Sequence, residues 1–143
     1  MEKISGAAIN LKDVPVTVLS KLESTDWIFL AAEAIEGKSG IDTIFVDVGD
    51  VFALTEFFLI TSGRTSRQVK AIVEEVEDVI KANGGPSPHR IEGNDEFKWV
   101  LIDYGEFLVH VFDSNERAYY QLERLWSDRP LGSFPRNEGA ELR

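Results

Sequence analysis

The chain has no cysteine, so disulfide frameworks, thiolate nucleophiles and cysteine-based zinc or iron–sulfur centres are excluded at the outset. Histidine is almost as scarce. His89 and His110 are the whole supply, with no HExxH or HxH spacing, and a metal site would have to recruit distant carboxylates that the sequence does not mark. The reading is therefore no metal and no cofactor. Basic residues are also in short supply: 15 Lys and Arg against 25 Asp and Glu leave a net charge of −10. Phosphate backbones are gripped with Lys and Arg, so this balance argues against direct binding to DNA or bare RNA and favours a basic protein as partner. No apolar run approaches the roughly 18 residues of a membrane span, and residues 1–15 resemble neither a secretory signal nor a transit peptide. The cytoplasm is the expected location.

What is present is enough for one core. At 143 residues and 43% hydrophobic, the chain suits a single α/β domain over residues 24–128, with a poorly ordered lead-in at 1–23 and a flexible tail at 129–143. Ser24 or Thr25 can cap a helix in which Trp27 or Ile28, Ala31, Ala34 and Ile35 recur at helical spacing, ending near Gly37. Thr43 to Val48 and Phe57 to Thr61 are apolar on both faces, as strands buried within a sheet are, although Asp47 interrupts the first. Thr65 and Gln68 form a capping box ahead of a stripe of Val69, Ile72, Val73, Val76 and Ile80. A short strand follows around His89 to Glu92, closed by Gly93. Asp113 and Glu116 offer a second capping box, for a helix burying Ala118, Tyr119, Leu122, Leu125 and Trp126 and leaving Tyr120 off the stripe. The order α-β-β-α-β-β-β-α implies a mixed sheet of about five strands flanked by helices.

The richest stretch is Trp99 to Trp126. If Gly105 and Glu106 close a two-residue hairpin, Tyr104 pairs with Phe107, and Trp99, Leu101, Asp103, Leu108, His110 and Phe112 share one face. Asp103 and His110 become diagonal neighbours, roughly 7–8 Å apart. A carboxylate beside an imidazole can raise its pKa for general-base work. No activated nucleophile accompanies them, and burial statistics favour the plainer reading of a core histidine and a turn-binding carboxylate. The loop Ser62 to Arg67 could hold a phosphate at a helix start, yet it lacks GxxxxGK[ST] and GxGxxG, and capping alone accounts for Thr65 and Gln68. Asp47 and Asp50, three apart in a strand, would face opposite ways and share no metal. A nucleotide-dependent transferase using Arg64 to Arg67 is the alternative these residues leave open. Asp95, Glu96, Asp103 and Glu106 add an acidic rim, suited either to docking on a basic surface or simply to solvation.

SRQVKAI, Glu92-Gly93, WVLIDYG, VHVF and ERAYYQLERLW, in this order and at these intervals, resemble the ribosomal silencing factor family, also called Iojap-like proteins, over roughly Ile28 to Asp128. The resemblance implies a nucleotidyltransferase-like α/β/α fold without the catalytic carboxylates, and a protein that is not an enzyme. It also implies binding to the large ribosomal subunit through ribosomal protein fourteen (uL14 type), blocking of the small subunit, and repression of translation under nutrient limitation. Carried across, it marks Trp99, Asp103, Tyr104 and Gly105 at the hairpin, with Glu92, Gly93 and Arg67 near it, as the docking set. Trp99 would be the apolar anchor, Asp103 a charge partner, Gly105 the turn former and Arg67 a brace or contact. The oligomeric state is left as monomer or homodimer, the latter through a sheet edge or the Tyr120 side of the last helix.

Overall fold

The computed structural model describes residues 26–49, 55–128 and 131–133 of the chain, in which apolar strands buried on both faces form the middle of one sheet. The capping residues Ser24 and Thr25, the lead-in, Asp50 and most of the tail lie outside the described residues. Helix α1 (Asp26–Gly37) buries Ile28, Ala31, Ala34 and Ile35 as their spacing predicts, with Phe29 and Ala32 beside them. Strand β1 (Ile41–Asp47) runs antiparallel to β2 (Phe57–Gly63), every residue of which is buried. Asp47 ends β1 rather than interrupting it: its carboxylate turns back to accept the Gly49 amide at 3.0 Å. Helix α2 (Ser66–Ala82) buries all five residues of the predicted stripe.

Then come β3 (Arg90–Glu92), β4 (Trp99–Asp103) and β5 (Phe107–Asp113), the last two forming the expected hairpin. Tyr104 N–H donates to the Phe107 carbonyl at 3.0 Å, and Gly105 takes φ +85°, which suits a residue without Cβ. β5 lies parallel to β2, and every other pairing is antiparallel.

The expected mixed sheet flanked by helices is present, with one added strand and one shortened helix. The sheet has six strands in the order β3-β4-β5-β2-β1-β6, because Leu131–Ser133, in the stretch read as tail, pairs with β1 as β6. The last helix is also shorter than its pattern suggests. α3 (Ser114–Tyr120) starts from the Asp113 cap but stops where Gln121 adopts the left-handed conformation, and a 3-10 turn over Leu122–Trp126 follows. That break resets the helical phase. Of the predicted stripe, Ala118 and Tyr119 before the break and Leu125 after it are exposed, Tyr119 at 79% and Leu125 at 74%, while Leu122 and Trp126 pack inward.

The sheet therefore has two unlike sides. α1 and α2 cover one, where Phe45, Leu59, Val100, Ile102, Val109 and Val111 join the helix residues in the main core. Val46, Phe58, Ile60 and Phe112 form a smaller cluster on the other, covered by Leu122 and Trp126 and leaving Trp99 and Leu108 half-buried.

Candidate docking site

Strand register builds the less covered face row by row. Arg90 lies opposite Asp103, Asp103 opposite Leu108, and Leu108 beside Phe58; in the next row Glu92, Leu101, His110 and Ile60 follow one another; then Trp99 meets Phe112. The predicted one-face grouping of Trp99, Leu101, Asp103, Leu108, His110 and Phe112 is what these pairings produce.

The Asp103 and His110 couple does not form. Asp103 Oδ2 lies 3.3 Å from Arg90 Nε and its Oδ1 accepts the Gly105 amide at 2.8 Å, so the carboxylate is used to brace the turn and to hold β3. His110 Nδ1 accepts from Trp99 Nε1 at 3.2 Å. With Nδ1 an acceptor, the neutral ring carries its proton on Nε2, which is buried and has no hydrogen-bond partner among the described residues. Burial pushes His110 down to about 4, opposite in direction to the rise a general base would need.

Trp99 is held on three sides. Its indole stacks on Phe112 at 4.7 Å between centroids, meets Tyr120 at 4.9 Å, and binds His110 through Nε1, yet remains partly exposed. Such a ring is positioned in advance and still presents apolar area. Glu92 pairs with Arg90 at 3.3 Å, and Gly93, at φ +84°, runs so close to β4 that a Cβ there would collide with the Trp99 carbonyl oxygen. Gly93 thus helps to set the position of Trp99.

Two members of the predicted docking set lie elsewhere. Tyr104 turns toward the helix-covered side, stacked on Phe107 at 5.1 Å, and burial with the Glu77 carboxylate pushes its phenol up to about 12. Arg67 stands exposed in the first turn of α2, within the helix layer on the other side of the sheet from Trp99. At the helix start read as a possible phosphate site, two backbone amides and the Gln68 side chain are engaged within the protein itself. Gln68 N–H donates to Thr65 Oγ1, Arg64 N–H donates to Gln68 Oε1, and Gln68 Nε2 donates to the Lys38 and Ser39 carbonyls.

Sequence reasoning missed two arginines. Arg90 was opposite Asp103 as soon as β3 was paired antiparallel with β4, a step the short strand invited. Arg117 gave no local signal: its guanidinium binds the Ile41 carbonyl at 2.9 Å and Ser62 Oγ at 3.2 Å, and pairs with Glu123 at 3.1 Å, all remote or across the Gln121 break. It ties α3 and the 3-10 turn to the ends of β1 and β2. Among the described residues no three His, Asp or Glu side chains group as metal ligands, and no helix is long and apolar enough to cross a membrane.

Comparison with known proteins gives this face a context. Residues 21–142 match the family described as "Ribosomal silencing factor during starvation". Ribosomal silencing factor RsfS of Bacillus subtilis is 41% identical over 105 residues, covering 73% of this chain and 88% of the relative. A mouse protein named "Mitochondrial assembly of ribosomal large subunit protein 1" is 30% identical over 105 residues, 71% of this chain and 46% of its own length. A crystal structure of a Chromobacterium violaceum protein superposes with a TM-score of 0.68 at 34% identity, covering 71% of this chain and 84% of that one.

Proposed function

This chain belongs to the ribosomal silencing factor family, and we propose that it docks on the large ribosomal subunit through ribosomal protein fourteen (uL14 type), sterically blocks the small subunit, and so represses translation under nutrient limitation. No bond-making step is part of this reading. The observation that carries it is the Trp99 face: a half-buried indole fixed by Phe112, Tyr120 and His110, beside half-buried Leu101 and Leu108, rimmed by Asp103 and Glu92. An apolar centre with an acidic rim, on a chain of net charge −10, complements a basic protein surface. The name of the mouse relative supports the large subunit as the particle concerned.

Purified protein should sediment with large subunits, lower the yield of joined ribosomes, and lose affinity as salt screens the rim. Trp99→Ala should weaken sedimentation by about 2 kcal/mol, roughly 30-fold, if the indole is a central anchor. Because Trp99 also binds His110, circular dichroism must show the variant folded, and Leu101→Lys serves as a second probe that leaves the indole in place. Folded variants at both positions that bind as the wild type does would place the docking surface elsewhere. A wild type that never sediments with the subunit would end the reading.

A further inference from the structure

From Phe57 to Val73 the chain carries Arg64, Arg67 and Lys70 and not one acid, the reverse of its overall balance of 25 acids to 15 bases. This stretch reaches the same end of the sheet as Trp99. Trp99 is opposite Phe112 and Phe112 is beside Ser62; in the next row the Asp113 amide donates to the Lys98 carbonyl at 2.8 Å, and Asp113 lies beside Gly63. Arg64 follows at once. Neighbouring strands are about 4.8 Å apart, so two spacings, roughly 10 Å, separate the Trp99 and Ser62 backbones. The Gln68 side chain gathers further charge to this corner. Its Nε2 donates to the Lys38 and Ser39 carbonyls at 3.1 and 3.0 Å, and its Oε1 accepts the Arg64 amide at 2.7 Å, so Lys38, Arg64 and the first turn of α2 are held side by side. Lys38, Arg64 and Arg67 are all exposed, and none has an acidic partner among the described residues. Lys70, by contrast, lies over the Phe97 ring at 5.8 Å. The acid of the end row, Asp113, uses its carboxylate to accept the Glu116 amide at 2.9 Å.

Exposed guanidinium and ammonium groups with no carboxylate to meet are suited to phosphate oxygens. We propose that Lys38, Arg64 and Arg67 bind the sugar–phosphate backbone of ribosomal RNA beside the protein on which the Trp99 face docks. The proposal rests on the docking reading for the particle concerned. It gives the docked molecule two contacts of opposite sign at one end of the sheet: an acidic rim around Trp99 for basic protein, and a basic corner for RNA. A net charge of −10 still argues against a grip on bare RNA, because three cations supply only a local attraction that the protein contact must bring into range. The loop from Ser62 to Arg67 thereby gains a use through its long side chains, although amides at the helix start are engaged within the protein.

The absence of cysteine allows single-cysteine probes in the full-length chain. Arg67→Cys and Leu101→Cys, each carrying an azidophenacyl group, are irradiated on purified large subunits. Capture of ribosomal RNA from position 67 and of ribosomal protein from position 101 is the expected result. Capture of protein alone from position 67, or of nothing, would overturn the proposal. In the second arm Lys38, Arg64 and Arg67 are replaced together by Ala, and circular dichroism checks the fold, which exposed side chains should not disturb. Three phosphate contacts at about 0.7 each should lower the slope of log affinity against log salt by about 2, and affinity for large subunits by roughly 100-fold near 0.1 M salt. Affinity for isolated ribosomal protein fourteen should stay at the wild-type value. Unchanged affinity and slope on subunits, or an equal loss on the isolated protein, would overturn the proposal. A wild type that binds subunits but not the isolated protein would remove that protein from the docking reading, while the crosslink from position 67 still decides the RNA contact. A wild type that binds no subunit ends both.

Discussion

On the helix-covered face, Leu59, Val100, Ile102, Val109 and Val111 are sealed under α1 and α2, with hydrocarbon meeting hydrocarbon. On the opposite face, the same strands present Leu101, Asp103, Leu108 and His110 beneath a short helix and a 3-10 turn that cover only part of it. Burial on the first face is chiefly stabilising, although the Tyr104 phenol is buried there too. The second face gives up some of that stabilisation and retains polar groups whose partners must be found one at a time. Two leucines measure the difference. Leu59→Ala, at a fully buried site, should cost about 3 kcal/mol, whereas Leu101→Ala, at a half-buried one, should cost about 1. Urea denaturation of both variants decides it, and equal losses would mean that the two faces are packed alike.

Acid should expose the second face before the first. His110 ionises at 6.5 in an ordinary setting and at about 4 in the fold, so the unfolded chain takes up the proton earlier as pH falls. The stabilisation from keeping His110 neutral is complete above pH 6.5 and is lost progressively between there and about pH 4, amounting to about 3 kcal/mol. Carboxylates titrate across the lower part of this window, so the comparison is with His110→Gln. The difference between the two stability curves should be flat above pH 6.5 and slope below it. A difference independent of pH would show that the ring is solvated in the native state.

Two glycines with the same backbone angle separate conformational strain from crowding. Gly84 and Gly93 both have φ +84°, but a Cβ on Gly84 meets nothing within 4 Å and one on Gly93 meets the Trp99 carbonyl. Gly84→Ala should cost about 1 kcal/mol, and Gly93→Ala about 2 or more, because β4 must move. Thermal unfolding would report the gap. Loss of large-subunit binding in Gly93→Ala alone would link the crowding to the placement of Trp99.

How legible each face was follows from the same contrast. The α2 stripe from Val69 to Ile80 could be read directly, because helical spacing and burial agree over several turns. The hairpin register was legible because a two-residue turn allows one pairing, and that pairing placed Trp99, His110 and Asp103 together. Partners were not. Asp103 chose Arg90, on a strand of three residues, and His110 chose Trp99, decisions made by distances that no periodicity encodes. Gln121 broke a helix whose heptad-like pattern ran on to Trp126, since Arg117 is drawn to the Ile41 carbonyl and Leu122 and Trp126 to the second cluster. Tertiary demand overrode local pattern there. β6 escaped notice because three residues among Pro, Gly and charges carry no period at all.

The smallest effect is the one that best distinguishes a surface built for stability from one built for contact. Asp103→Asn keeps an oxygen for the Gly105 amide and removes the charge that faces Arg90, a pair in which the arginine is largely exposed. Such a pair is worth about 0.5 kcal/mol, so chemical denaturation should barely register the change. If the Asp103 charge instead meets a basic partner, the same substitution should flatten the salt dependence of large-subunit binding while leaving the fold intact, because one screened interaction has been deleted. A salt dependence unchanged from the wild type, in a protein whose stability is also unchanged, would reduce Asp103 to a brace for its own turn. The acidic rim would then have to draw its attraction from Glu92 and the residues around it.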